Sequence, residues 1–485
     1  MVELLFNSLE FIFLYVPIVV AAFFILGKYK GKKYAIGLLV FASFFFYGWW
    51  DVRYVPLLFA SICFNYFVGK RLEFSQIKKF WLWIGILVNI SMLGYFKYMD
   101  FFLGSVNAML GMGYFDLMHI VLPLGISFFT FTQTAYLIDV YRGDTKNTSF
   151  IVYCEFVTIF PHLIAGPIIS HRKMIPQFLS DATFRLDYHN VAMGLGLFSM
   201  GLFKKVVIAD KLAIVATDVF SNTLSIGMIE AWMGAIAYTF QLYFDFSGYS
   251  EMAMGLGLML NLQLPQNFNS PYKATSVIDF WRRWQITLSG WVREYLYIPL
   301  GGNRHGQLNK LRNLFVSMVI IGLWHGAGWT FIVWGALHGL FLIINHLWRN
   351  LEYKLPVVIS WSITFLCVVI GWVFFRADSI GDAAQIISKM FDINSIYLPS
   401  GGQLESWLYW TGASFIAWQY KWSMAKCAVS LMVLLICILN MRNPCEIYVN
   451  MVPNKKWMCF ISLIFLASIY SVCAIGTGEF LYFQF

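Results

Sequence analysis

The sequence predicts an all-α polytopic membrane protein, and three observations carry that reading. Of 485 residues, 59% are hydrophobic and only 12% charged, about half the charged share of an ordinary soluble domain. The apolar residues fall in runs long enough to cross a hydrocarbon core of roughly 30 Å at about 1.5 Å per helical residue. The basic residues sit mainly in the short breaks between these runs, as the positive-inside rule requires. The formal charge of +9 therefore reads as topology and contact with membrane lipid, not as nucleic-acid binding.

Phe6–Leu26 precedes the first basic residue, Lys28, so it reads as an uncleaved anchor rather than a signal peptide. Lysines 28, 30, 32 and 33 place the next loop in the cytoplasm and the N-terminus outside. Tyr34–Trp50, Tyr54–Gly69 and Phe80–Phe96 follow as spans, with Asp51–Arg53 an outer turn and Lys70–Lys79 a basic inner loop. Met99–His119 is glycine-rich and fits either a re-entrant or an interfacial piece. Ile120–Ile138, with Pro123 and Gly125, and Phe150–Ile169, with Pro161, Gly166 and Pro167, read as broken spans. In Val191–Ala209, Lys204 and Lys205 sit near one end, where lysines snorkel. Glu230–Phe246 and Ala253–Leu264 are two further apolar pieces.

Asp279–Ile298 differs in kind. Trp281, Trp284, Leu288, Trp291 and Tyr295 recur at helical spacing against Asp279, Arg282, Arg283, Ser289 and Arg293. That pattern predicts one amphipathic helix at the cytoplasmic interface. Pro356–Phe375, Ser406–Trp418, Ala425–Leu439 and Trp457–Ile475 complete the series, and the last delivers the C-terminus to the outer face. The count is roughly 11 spans plus re-entrant pieces, in one domain, 1–485, without internal repeats.

Three features stand out chemically. The first is Leu323–Trp329, inside a run from Asn313 to Trp348 without an Asp, Glu, Lys or Arg. That run is too long for one crossing, and glycines 326 and 328 predict a break beside His325. A histidine there is either hydrogen-bonded packing or a functional group; a neutral imidazole, with its pKa near 6.5, takes a proton from an attacking hydroxyl. The second is the basic group Lys273, Arg282, Arg283, Arg304, Lys310 and Arg312, which suits either anionic lipid or a phosphate-bearing donor. The third is the tail Gly476–Phe485, either an interfacial aromatic belt or a segment folded back into the outer mouth with Tyr482 presenting its hydroxyl. Eight cysteines form no C-x-x-C pair, and no H-E-x-x-H, Walker A or G-x-G-x-x-G motif occurs, which argues against metalloprotease, ATP-driven pump and dinucleotide enzyme.

Together these motifs resemble the membrane-bound O-acyltransferases, in particular the bacterial branch of alginate and peptidoglycan O-acetylation membrane proteins. The resemblance rests on Leu122–Phe131 (LPLGISFFTF), Phe160–Pro167, Gln241–Tyr249 (QLYFDFSGY), Pro265–Pro271, Asp279–Trp284, Tyr295–Arg304 and Leu323–Gly326. It implies helices around a central tunnel, a family core at about 120–440, and a tail at 476–485. It implies a catalytic role for His325, with Trp324, Gln285 and Ser289 lining the tunnel. An acyl thioester, acetyl-CoA, would dock on Lys273, Arg282, Arg283 and Arg304, with no permanently bound cofactor or metal. Tyr482 would collect the acyl group on the outer side.

Relatives in this branch usually carry a second histidine where Gln285 stands, and glutamine cannot exchange a proton near neutral pH. The resemblance further implies an extracytoplasmic acetyltransferase partner and a polysaccharide acceptor in the cell envelope. The competing functions are D-alanyl transfer to teichoic acid, a lipid acyltransferase using long acyl-CoA, and a transporter or flippase without covalent chemistry.

Overall fold

The computed structural model describes residues 4–481 apart from 112, 147, 400–413, 417–422, 451, 453 and 477. The architecture is helical, and the described residues contain a single strand pair, Tyr397–Pro399 in parallel with Ser414–Ile416. Among the described residues, seven helical stretches are long and apolar enough to cross a membrane, from Phe11–Tyr29 to Lys455–Ala474. The expected span Ser406–Trp418 lies outside the described residues except for Ser414–Ile416, which is a strand.

The centre of the protein is the 32-residue helix Met228–Met259, buried along nearly its whole length. It joins what the sequence divides into Glu230–Phe246 and Ala253–Leu264. The polar stretch Asp245–Glu251 does not interrupt it, because Asp245, Ser247 and Glu251 find partners inside the protein. Tyr188–Phe203 packs beside it at close range. A Cβ on Gly201 would come within 2.5 Å of the Gly248 carbonyl, so the contact depends on two residues without side chains, the small-residue packing common in membranes.

Lys204 and Lys205 do not snorkel. They begin a π-helical turn, Lys204–Ala209, that aims both ammonium groups inward. Lys204 Nζ lies 2.5 Å from Glu251 Oε1 and Lys205 Nζ 2.6 Å from Asp245 Oδ1. Carboxylates supplied by the central helix make burial cheaper than reaching for the interface.

The amphipathic segment is also different from its pattern. It forms Val277–Arg283, then Ile286–Val292, then a π turn, Arg293–Tyr297. Trp284 is extended at the break and Gln285 is left-handed, with φ +40°. The loop before it braces this break. Asn269 N–H donates to the Arg283 carbonyl, Ile286 N–H donates to the Asn267 carbonyl, and Thr287 Oγ1 donates to Asn267 Oδ1 at 2.8 Å. Trp281, Trp284 and Leu288 are buried in the protein. They are core residues rather than membrane anchors, because helices 329–350 and 357–376 cover that face.

Both expected broken spans are broken. Phe150–Thr158 stops at Ile159 and resumes as Phe160–Leu163, while helix Ile126–Arg142 begins only after Gly125. Gly125 has φ +71°, and a Cβ there would meet the Leu163 carbonyl at 2.7 Å. Only glycine lets these two irregular segments touch. His162, between them, is a packed histidine: Nδ1 lies 2.7 Å from the Pro167 carbonyl and Nε2 3.3 Å from Thr132 Oγ1.

Candidate functional site

The long apolar run breaks where its glycines predict. Helix Gly306–His325 ends at the histidine, Gly326 to Gly328 are extended or bent, and helix Trp329–Asn350 follows. The two helices fold back on each other through Gly322 and Gly335, whose α-carbons leave no room for a side chain between them. His325 is buried. Its ring meets Trp334 and Phe375 edge-on at 5.1 and 5.2 Å between centroids. Trp334 stacks on Trp372 at 5.6 Å, and Trp372 packs on Trp284, next to Gln285, at 4.9 Å. An aromatic wall thus runs from His325 to the strained turn at Gln285.

Trp324 forms the opposite wall. It stacks on Phe131 at 5.0 Å, and Phe131 stacks on Trp291 at 3.8 Å. Ser289 donates to the Trp281 carbonyl at 3.3 Å and so serves the same broken segment. A second buried histidine, His338, accepts from Trp281 Nε1 at 3.3 Å within this aromatic cluster.

The end of the 306–325 helix is held from outside by residues the sequence reading did not select. Its last carbonyls lack helical partners. Lys97 Nζ donates to the Trp324 carbonyl at 2.6 Å and the His325 carbonyl at 3.1 Å, and Tyr98 OH donates to the Leu323 carbonyl at 2.8 Å. Both belong to a π turn, Gly94–Tyr98, that continues helix Lys78–Leu93. π turns of this kind often mark functional sites. The available signal was a lone lysine among aromatics between two apolar runs.

Beside His325 lies a cavity of about 120 Å³ lined by Trp50, Lys97, Ser127, Trp324, His325 and Glu479, among others. That is room for roughly four water-sized volumes of about 30 Å³ each. Glu479 belongs to the C-terminal tail, so the described tail residues do fold back and reach the histidine's cavity. Tyr482 itself lies outside the described residues.

The basic group divides. Lys310 Nζ is 3.3 Å from His346 Nδ1, and Arg349 and Arg282 are near enough to act on that ring electrostatically. Arg283 pairs with Asp279 at 3.0 Å, and Arg312 donates to Asn313 Oδ1 at 3.1 Å. Lys273 turns away to the Met441 carbonyl at 2.7 Å. Arg304 is exposed on the turn before the 306–325 helix. Arg282 and Lys310 therefore form the nucleus of a cationic patch, and Lys273 is committed elsewhere.

Comparison with known proteins fits this architecture. A model of the membrane-bound O-acyltransferase family matches residues 71–376. A peptidoglycan O-acetyltransferase of Helicobacter pylori is 46% identical over 428 residues, covering 81% of each chain. A probable alginate O-acetylase of Pseudomonas putida is 39% identical across 99% of this chain and 100% of its own. A teichoic acid D-alanyltransferase of Streptococcus thermophilus is 27% identical over 46% of this chain and 57% of its own. Fold and similarity define a multi-pass membrane enzyme that transfers acyl groups. The chain belongs to the membrane-bound O-acyltransferase family.

Proposed function

We propose that this protein moves acetyl groups from cytoplasmic acetyl-CoA across the bacterial inner membrane for O-acetylation of an extracytoplasmic polysaccharide, of the peptidoglycan or alginate kind. The carrying observation is the cavity shared by His325, Lys97 and the tail residue Glu479. Its size suits a two-carbon acyl group, and the relatives with the higher identities are named for O-acetylation.

In this reading both termini face outward and the patch around Arg282 and Lys310 receives the donor's phosphates from the cytoplasm. Arg283 and Arg304 flank that entrance. Lys273 contributes less, because its ammonium is already bonded to Met441. Gln285 and Ser289 hold the thioester at the broken segment, with Trp324 closing the tunnel.

His325 takes the proton of the Tyr482 hydroxyl as its oxygen attacks the acetyl carbonyl. The carbon–sulfur bond breaks, an ester bond to Tyr482 forms, and the departing thiolate receives the proton as CoA–SH. The dry aromatic walls exclude water that would hydrolyse the thioester. A partner acetyltransferase outside the membrane then passes acetyl from Tyr482 to the polymer and restores the phenol.

Purified protein in nanodiscs with acetyl-labelled acetyl-CoA tests the proposal. Wild type is expected to release CoA and retain label, His325→Ala to do neither, and Tyr482→Phe to retain none. Turnover without label in wild type and Tyr482→Phe alike would remove the tyrosine relay. No turnover in any of them with partner and acceptor supplied would favour a transporter.

A further inference from the structure

The C-terminal tail is gripped by side chains from three distant parts of the chain. Asn7 Nδ2 donates to the Gly478 carbonyl at 3.0 Å and Lys205 Nζ to the Glu479 carbonyl at 2.6 Å, while Asp245 Oδ2 accepts from Leu481 N–H at 3.1 Å. Lys205 is thereby fully used: its other two hydrogens go to Asp245 Oδ1 at 2.6 Å and Asp210 Oδ1 at 2.8 Å. Phe480 is buried between the Lys205 ammonium, 4.6 Å from its ring centre, and Tyr249, which in turn stacks on Phe6 at 4.7 Å. Chain ends ordinarily fray unless tied down, and at membrane depth an irregular segment needs its peptide groups satisfied. Here the protein satisfies them with a buried ion pair that the tail completes.

We propose that Asn7, Lys205 and Asp245 form a docking site for the chain's own tail and act as positioning residues for acyl transfer, fixing how far Tyr482 reaches toward the His325 cavity. The inference rests on Tyr482 being the acceptor. It gives Lys205 and Asp245 a task beyond holding helices together. Gly478 belongs to the device, because a Cβ there would stand 2.9 Å from Asp210 Oδ1, a carboxylate already held by Lys205.

The test uses the full-length protein in nanodiscs. Asn7→Asp sets an acceptor against the Gly478 carbonyl, and Gly478→Ala pushes the tail from Asp210. Both leave the Lys205–Asp245 pair intact, whereas Lys205→Met strands two carboxylates and risks the fold. Hydrogen exchange of the tail amides is expected to quicken on the order of tenfold in both variants. Acetyl label reaching the protein should fall about 10²-fold, with KM for acetyl-CoA unchanged.

Tail amides that exchange in the variants as in wild type would overturn the docking site. Faster exchange with unchanged transfer would overturn its positioning role, and so would a rise in KM matching the loss of kcat. A Tyr482→Phe protein that still takes up label, while Asn7→Asp does not, would sink the tyrosine's chemistry and leave the docking site standing.

Discussion

The Lys97 ammonium lies 2.6 Å from the carbonyl oxygen of Trp324, on the last turn before His325. It also reaches the His325 carbonyl at 3.1 Å and Ser127 Oγ at 3.4 Å. A cation at a helix C-terminus meets the negative end of the helix dipole. The two contacts fix where the helix ends and hold the backbone that carries the histidine. Lys97→Met would withdraw this donor from both carbonyls, a loss on the order of 1 kcal/mol for each hydrogen bond, and let the imidazole drift. The expected result is CoA release lowered about 10²-fold with a modest fall in Tm. Tyr98→Phe frees only the Leu323 carbonyl and should cost less on both scales. Steady-state turnover and thermal unfolding of the two variants check the order.

In the proposed transfer His325 is, among the described residues, the one imidazole placed at both the helix break and the tail's cavity. His325→Gln keeps a planar polar side chain but carries no exchangeable proton near neutral pH. Turnover is expected to drop by about 10²–10⁴-fold, the usual contribution of a general base. His338→Gln disturbs a histidine buried with Trp281 and Trp334, away from that cavity. It should lower Tm more than it lowers kcat, and equal losses of kcat in the two variants would refute the assignment.

The Lys204–Glu251 pair ties the π turn to the central helix at 2.5 Å. The described tail residues bond to Asn7, Lys205 and Asp245 rather than to this pair, so the pair tests the fold. Lys204→Met strands a buried carboxylate and should cost about 3–5 kcal/mol, whereas Lys204→Met with Glu251→Gln should recover much of that. Unfolding of the single and double variants in one detergent reads the difference.

What was legible in the sequence follows from which signals are local. The break at His325 was legible because Gly326 and Gly328 interrupt a run too long to cross once. The kinks at Pro123-Gly125 and Pro161 announced themselves in the same way. Partnering was not legible. Asp245–Glu251 looked like a gap between spans, and Lys204 and Lys205 looked like interface residues, because each group's solution lies some forty residues away in the other. The aromatic periodicity of 279–298 was real, but its apolar face meets Trp334 and Trp372 instead of lipid, and periodicity does not distinguish those two apolar partners. Lys97 was hidden for a related reason: its two nearest acceptors are backbone carbonyls more than two hundred residues away.

Outside the spans, His171 gives the fold a dependence on pH. It starts the short helix His171–Leu179 and is buried against the Tyr136 and Phe156 rings, with Nδ1 2.6 Å from Thr145 Oγ1. Burial pushes its pKa down to about 4, against about 6.5 for a free imidazole. Between those values the unfolded chain binds a proton that the folded protein does not, so stability rises with pH across that window. The contribution is complete above about pH 6.5 and fades as the pH falls toward 4. Between pH 6.5 and 5 the loss amounts to about 2 kcal/mol. His171→Gln keeps a partner for Thr145 and removes the titration. Its Tm is expected to fall less than that of wild type when the buffer is taken from pH 7.5 to 5, and parallel falls in the two proteins would show that this histidine is not the acid-sensitive group.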